Sequence, residues 1–440
     1  MLRSLYSGIS GMKVNQTKLD TIGNNIANVG TTSFKSGRVR FSDMLSQNVS
    51  GAMAPGNTQG GINPKQVGLG VSVAGIDTLV SQGMMQPTNR SLDFAVDGEG
   101  YFMVGKGQLP EDNTNGILLN QDNTVNNTNG MSVYYTRDGA FSRDDNGSLV
   151  TSDGYRVLGY SLTGSNGLSS IDYENGYLKQ VNMINADDEA LKAENTLVPM
   201  VIPDKIKYPA VPAELIGSMQ PKTIMAEGEL SINIDNDPAK TITINVSSLD
   251  NLDSIISKIN TAFGSDIASD EGGMLKITSD TNGASSSAKI DSTSNPEVVA
   301  ALGLSGASAS GSDAKDIRIT SFSVEKDGLI KAVLDDGTVA AIGQIAVSSF
   351  NNPDGLTKLG KNIYQNSANS GDAVLRTGVG SAQDNGKGYG DVLQYNLEMS
   401  NVDLAEQFTD MIVASRAFQA NSKVITTGDE ILQDILSIKR

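Results

Sequence analysis

Three kinds of segment carry residue types that could do chemistry. Gly378-Val379-Gly380-Ser381-Ala382-Gln383 and Gly386-Lys387-Gly388 are rich enough in glycine to suggest a phosphate cradle. The first lacks the third glycine of a dinucleotide fingerprint. The second has Ser381 where a P-loop needs its first glycine, and no Ser or Thr after the Lys. Asn233-Ile234-Asp235-Asn236-Asp237 begins like a calcium loop, but Pro238 stands where the sharp turn needs glycine and Ile244 where a bidentate Glu should close the site. It reads as a hairpin turn. The acidic pairs Asp144-Asp145 and Asp335-Asp336 adjoin turn glycines and read as solvated turns, not as a glycosidase pair. The chain has no His and no Cys. That excludes imidazole acid–base chemistry, Ser-His-Asp triads, thiol nucleophiles, disulfides and zinc or iron–sulfur sites built on those ligands. The residues point to no catalytic, cofactor or metal site, and a non-enzyme is expected.

With 33 basic against 50 acidic side chains the net charge is −17, which repels phosphate backbones and argues against a nucleic-acid partner. No apolar run reaches the ~18 residues of a membrane span. The start, MLRSLYSGISGMKVNQTKL, has no continuous apolar segment of the kind that opens a cleavable secretory signal. The length of 440 residues allows two to four domains.

All 12 prolines fall between Pro55 and Pro353, so the first 54 and last 87 residues have none. Proline breaks helix interiors, and the distribution predicts helical ends around a non-helical body. The ends have the matching period. Leu2, Leu5, Ile9, Met12, Leu19, Ile22 and Ile26 form one apolar stripe, and Leu404, Phe408, Met411, Ile412, Phe418, Ile425, Leu432 and Ile435 form another. Such narrow stripes are not stable alone and need a partner. The first 40 residues carry six basic side chains against one acid, Asp20, and the last 40 carry six acids against four bases. Opposite charge favours the two ends meeting.

The middle reads as strands and tight turns. Asp97-Gly98, Asp138-Gly139, Asn146-Gly147, Asp153-Gly154, Asp327-Gly328 and Asp336-Gly337 interrupt short apolar or alternating runs, the pattern of an antiparallel meander. Residues 205–315 read as a separate α+β unit. It holds a hairpin (230–234 with 241–246), a helix with Leu252, Ile255, Ile256, Ile259 and Phe263 on one face, and a strand at 274–278. The Ser/Ala/Gly tracts at 284–288 and 305–312 offer little to bury and are expected to be exposed.

Against this background the ends resemble a known family. Asn24-Asn25-Ile26-Ala27-Asn28-Val29-Gly30-Thr31-Thr32-Ser33-Phe34-Lys35 resembles the N-terminal signature of the bacterial flagellar axial proteins of rod and hook. Its matching residues are Asn25, Asn28, Thr31, Phe34 and Lys35. Gly30 and Ser33 depart from the pattern, which often has Asn and Gly there. The run from Ser400 to Asn421, the stretch 426–432, and the body segments 92–98 and 352–360 are similar to the hook branch of the family.

The resemblance implies a multi-domain structural subunit. Terminal helices 1–30 and 400–440 would pair as a discontinuous inner coiled-coil domain, joined through connectors 31–75 and 369–399 to a β-rich middle domain of 76–204 and 316–368. An inserted α+β outer domain, 205–315, would complete it, with 224–305 similar to the hook-IN module. It implies a helical homopolymer, the curved hollow hook that acts as a universal joint between motor and filament. It also implies distal rod, hook–filament junction and hook cap proteins as partners, and export without a cleaved signal through the flagellar type III apparatus to an extracellular hook. Phe41 and Leu45 resemble an export-gate motif. The alternatives are a distal rod protein of the same family and, from another class, a secreted adhesin or surface-layer protein.

Overall fold

The computed structural model describes residues 2–56, 60–112, 116–165, 167–219, 226–380 and 389–438. The end of the first glycine-rich segment, 381–383, the whole of the second, 386–388, and the first residues of the hook-IN-like segment lie outside the described residues.

A helix occupies each end: α1, Leu2–Ala27, and the 35-residue α4, Leu404–Ile438. Between them the chain is mostly antiparallel strand. The largest sheet runs in the order Lys205–Tyr208, Lys315–Val324, Leu329–Leu334, Val339–Ile345, Arg156–Thr163, Tyr101–Lys106, Ser132–Thr136, Ile363–Gln365, Thr357–Gly360. Strands more than a hundred residues apart in the chain therefore lie side by side. Two apolar cores flank this sheet, one around Phe94, Phe102, Phe141 and Ile342, the other around Tyr101, Met103, Leu158 and Phe350. Edge-on aromatic contacts join Phe102 to Phe141 and Tyr135 to Phe350, a geometry that aligns ring edges with ring faces.

The Asp-Gly and Asn-Gly pairs act as turns where the glycine adopts positive φ: Gly328 at 91°, Gly337 at 84°, Gly147 at 82° and Gly154 at 79°. Gly139 serves another end. A Cβ there would collide with the Phe94 carbonyl, so this glycine permits a close backbone crossing.

The chain leaves the large sheet after Tyr208 and returns at Lys315, the strand paired with 205–208. The intervening residues have their own apolar core. Gly228–Ile234 and Thr241–Val246 form the expected hairpin. Its turn uses Asp235 and Asn236 at φ 61° and 52°, and Asp237 accepts from the Ala239 amide. Helix α2, Leu252–Phe263, is capped by the Asn251 side chain and ended by Gly264 at φ 82°, and it buries Leu252, Ile255 and Ile259. Helix α3 is short, Pro296–Ala301. The Ser/Ala tracts do not all lie in solvent. Ser287–Ile290 pairs with both Gly228–Ile234 and Ser308–Ser310, and Ser286 and Ala288 are buried. Their small side chains allow close approach instead of filling space; Ser286 Oγ accepts from the Ala213 amide at 2.7 Å.

The connector 31–75 contains a feature absent from the sequence reading, a long antiparallel ribbon. Gly37–Asp43 pairs with Val71–Thr78, and Ser46–Ser50 with Lys65–Gly68. It leaves Phe41, Met44, Leu45, Val49, Met53 and Ile76 exposed.

Candidate assembly surface and its anchor

Helices α1 and α4 lie antiparallel. Gly8 faces Ile425, Gly11 faces Asn421, and Gly428 faces Leu5. Further along, Lys18 Nζ is 3.2 Å from Asp410 Oδ2, and Asn25 Nδ2 donates to Gln407 Oε1 at 2.9 Å. The seam sets small residues against apolar ones and adds polar contacts toward the body. On α1 it buries Gly8, Gly11, Val14, Ile22 and Asn25, and on α4 Ala414 and Gly428. Glycine and alanine remove side-chain bulk and let the helix axes approach.

The apolar stripes lie partly in the seam, where Leu5 faces Gly428, Ile425 faces Gly8 and Ile22 is buried, and partly outside it. On α1, Leu5, Met12, Leu19 and Ile26 are half-buried, Ile9 is exposed, Ile22 is buried, and Leu2 opens the helix. On α4, Met411, Ile425 and Leu432 are half-buried, whereas Leu404, Phe408, Ile412, Phe418 and Ile435 are exposed, Ile412 by 62%. Val413, Val424, Ile431 and Leu436 add to this open surface. Isolated exposed leucines need no explanation, but a run of them along a 35-residue helix marks a surface meant to be covered.

The N-terminal signature residues sit where α1 meets the body. Asn25 is buried; its Nδ2 donates to the Gly37 carbonyl and its Oδ1 accepts from the Gly37 amide, both at 2.9 Å. Asn28 Nδ2 donates to the Asn24 carbonyl at 2.9 Å, and Thr31 Oγ1 donates to Asn28 Oδ1 at 3.1 Å, closing the last turn of α1. Lys358 Nζ lies 5.3 Å from the Phe34 ring centre. Lys35 is buried with only 1% of its side chain exposed and reaches Glu398 Oε1 at 2.5 Å. Burial pulls the Lys35 ammonium below the usual lysine pKa, against the Glu398 carboxylate, which holds it up.

Two members of this cluster carried no sequence signal, Glu398 and Arg137. Arg137 Nη1 lies 3.4 Å from Glu398 Oε1, and its Nε donates to the Gly100 carbonyl at 2.7 Å. Neither sits in a periodic stripe; only long-range folding brings them to Lys35. Of the export-like pair, Phe41 lies in the ribbon strand and Leu45 just beyond it, and both are exposed.

The architecture is that of a structural subunit whose chain ends are brought together by folding and joined to a β-rich body. Comparison with known proteins gives the lineage. Residues 5–35 match the flagella basal body rod protein family, residues 123–247 the flagellar hook protein FlgE/F/G D1 domain, and residues 393–438 the flagellar basal body rod FlgEFG protein C-terminal family. The chain is 33% identical to the flagellar hook protein FlgE of Borreliella burgdorferi and 34% identical to that of Treponema pallidum, in each case over 100% of both chains. It is also 33% identical, again over 100% of both, to the flagellar basal-body rod protein FlgG of Bacillus subtilis. The chain belongs to the flagellar hook and basal-body rod protein family, which is structural and not enzymatic. No helix among the described residues is long and apolar enough to cross a membrane.

Proposed function

We propose that this chain is the subunit that polymerises helically into the flagellar hook, the curved hollow joint that passes motor torque to the filament. One observation carries the reading: the paired terminal helices leave large apolar side chains open along the length of α4, Leu404, Phe408, Ile412, Phe418 and Ile435 among them. A monomer gains nothing from exposing them, whereas copies stacked head to tail would bury them. A contact that does not close on itself produces an open helical assembly.

In this reading residues 1–30 and 400–440 form the inner layer and 76–204 with 316–368 the middle layer. Residues 205–315 form the outer domain, and 31–75 and 369–399 connect them. The remaining partners are the distal rod, the hook–filament junction proteins, the hook cap and the type III export apparatus. Export proceeds without signal cleavage, with Phe41 and Leu45 offered to the gate, and the finished subunit lies outside the cell. A rod position is the second reading, and the full-length similarity to the Bacillus subtilis rod protein favours it. It predicts straight tubes where the hook reading predicts curved ones.

The test is electron microscopy of purified full-length chain concentrated with a precipitant, beside Ile412→Asp and Phe418→Asp. Curved tubes from the parent and monomers from both variants, with unchanged circular dichroism, are expected. Normal tubes from either variant would put the polymerising surface elsewhere.

A further inference from the structure

Three ionisable side chains from distant parts of the chain, two basic and one acidic, share one buried site. Lys35 Nζ donates to Glu398 Oε1 at 2.5 Å and to the Ser81 carbonyl at 2.9 Å. The Gly83 amide donates to the same Glu398 oxygen at 2.8 Å. Arg137 completes the set from the body side, donating to Glu398 at 3.4 and 3.5 Å and to the carbonyls of Gly98 and Gly100. The backbone around them is equally tied. Ser33 N–H donates to the Glu398 carbonyl at 2.8 Å, and Ser33 Oγ to the Arg137 carbonyl at 2.7 Å. Lys358 Nζ donates to the Lys35 carbonyl and Asn362 Nδ2 to the Thr32 carbonyl, both at 2.9 Å. Asn401 accepts from the Ser36 amide and donates to the Leu79 and Ser81 carbonyls.

Two cations and one anion make this arrangement conditional. Without Glu398, Lys35 and Arg137 are like charges facing each other in a site that excludes water, a state of high energy. With it, both cations share one counter-charge. A buried ionic network adds little net stability over an apolar core, and in some proteins it instead selects one arrangement.

We infer that the Lys35–Glu398–Arg137 cluster is a conformational lock. It fixes the segment after α1 and the segment before α4 to the β-rich body at one angle, and it closes only when the C-terminal part of the chain has arrived. The lock assigns a role to the signature lysine and makes Glu398 and Arg137 its necessary partners. If the hook reading holds, the compliance that lets a hook bend lies in elements other than this junction. The lock itself does not depend on that reading.

Because the chain has no cysteine, spin labels can be placed without background. Ser152→Cys in the body with Thr409→Cys on α4 reports the junction. Gln16→Cys with Thr426→Cys reports the helix pair. Distances would be measured by double electron–electron resonance on the soluble full-length monomer, with and without Glu398→Gln and, separately, Lys35→Met. The second variant leaves Arg137 paired with Glu398 and guards against a single misfolded protein. The expected result is one narrow distance for both label pairs in the parent. In both variants the junction pair loses its single peak while the helix pair keeps it. Three results overturn the lock: a broad junction distance in the parent, an unchanged junction in both variants, or loss of both distances together. None of these requires polymerisation, so failure of the lock and failure of the hook reading are separable.

Discussion

Asn25 on α1 and Gln407 on α4 are 382 residues apart in the chain and joined by a 2.9 Å hydrogen bond. The same Asn25 amide also grips both backbone groups of Gly37. One side chain thus gathers three elements, the two terminal helices and the base of the ribbon. This explains physically why an asparagine, and not an apolar residue, occupies a buried seam position: its amide presents a donor and an acceptor side by side to a backbone C=O and N–H.

Asn25→Ala should therefore loosen all three elements at once. It leaves the Gly37 N–H and C=O without their partner in a poorly solvated place, at about 1–3 kcal/mol for each group left unsatisfied. Native-state hydrogen exchange should show faster exchange at Gly37 and at the end of α1, with the strands 101–106 and 156–163 unaffected. Protection unchanged at Gly37 would remove Asn25 from this role.

Glycines of α1 make opposite predictions. Nothing lies within 4 Å of a Cβ built on Gly23, whereas one on Gly8 would stand 3.1 Å from Ile425 Cγ1. Gly23→Ala should raise helix stability by up to about 1 kcal/mol, the usual gain of alanine over glycine in a helix. Gly8→Leu should overfill the seam and cost about 1–3 kcal/mol. Thermal melts followed at 222 nm check both signs, and equal shifts would mean the helices do not pack along this seam.

The terminal helices illustrate how much the sequence can tell. Their existence and pairing were legible, because absent proline, a 3.6-residue period and opposite charge bias are local properties. The seam itself was not. The stripe residues Ile9, Met12 and Ile26 each stand one place beyond a seam residue, Gly8, Gly11 and Asn25. One residue is about 100° around a helix. A hydrophobic-pattern reading finds apolar faces but not the glycines that receive them: Gly8 and Gly428 take Ile425 and Leu5, while Phe408, Ile412 and Phe418 are left for other contacts. The 37–78 ribbon was not legible in the sequence: Val39 and Phe41 do alternate with Arg38, Arg40 and Ser42, but the run is short, and its continuation in 46–50 and 65–68 is fully exposed and has no alternation. The signature residues were visible only through resemblance. Nothing in local pattern links Lys35 to residues 102 and 363 positions away.

Acid should weaken the 205–315 region in part through Asp250. The Lys258 ammonium, 2.5 Å away, holds this carboxyl well below the ordinary carboxylate range, helped by the Ser247 amide and Ser254 hydroxyl. A folded-state pKa below the unfolded one means that the stabilisation is complete above the unfolded value, about 3.9, and is lost as pH falls through the folded one. Urea midpoints measured from pH 5 downward should fall with acidity, and Asp250→Asn should flatten that fall while lowering the midpoint at pH 7. A slope identical in parent and variant would assign the acid sensitivity to other carboxylates.

Ser33 stands where the resemblance leads one to expect glycine, and its backbone is one that glycine adopts freely. Its φ is 54°, the left-handed region in which a Cβ costs roughly 1–2 kcal/mol. The serine is not merely tolerated, because its Oγ donates to the Arg137 carbonyl at 2.7 Å, a bond glycine cannot make and worth about 1 kcal/mol. The two terms nearly cancel, so Ser33→Gly should change stability by less than about 1 kcal/mol in denaturant titration. Ser33→Val separates them, since it keeps the Cβ, adds a branch and removes the hydroxyl. It should destabilise by more than Ser33→Gly in either direction, and the deficit should appear as faster hydrogen exchange at the Ser33 amide, which is bonded to the Glu398 carbonyl. If valine proves as stable as serine, neither the left-handed turn nor the hydroxyl bond holds this segment in place.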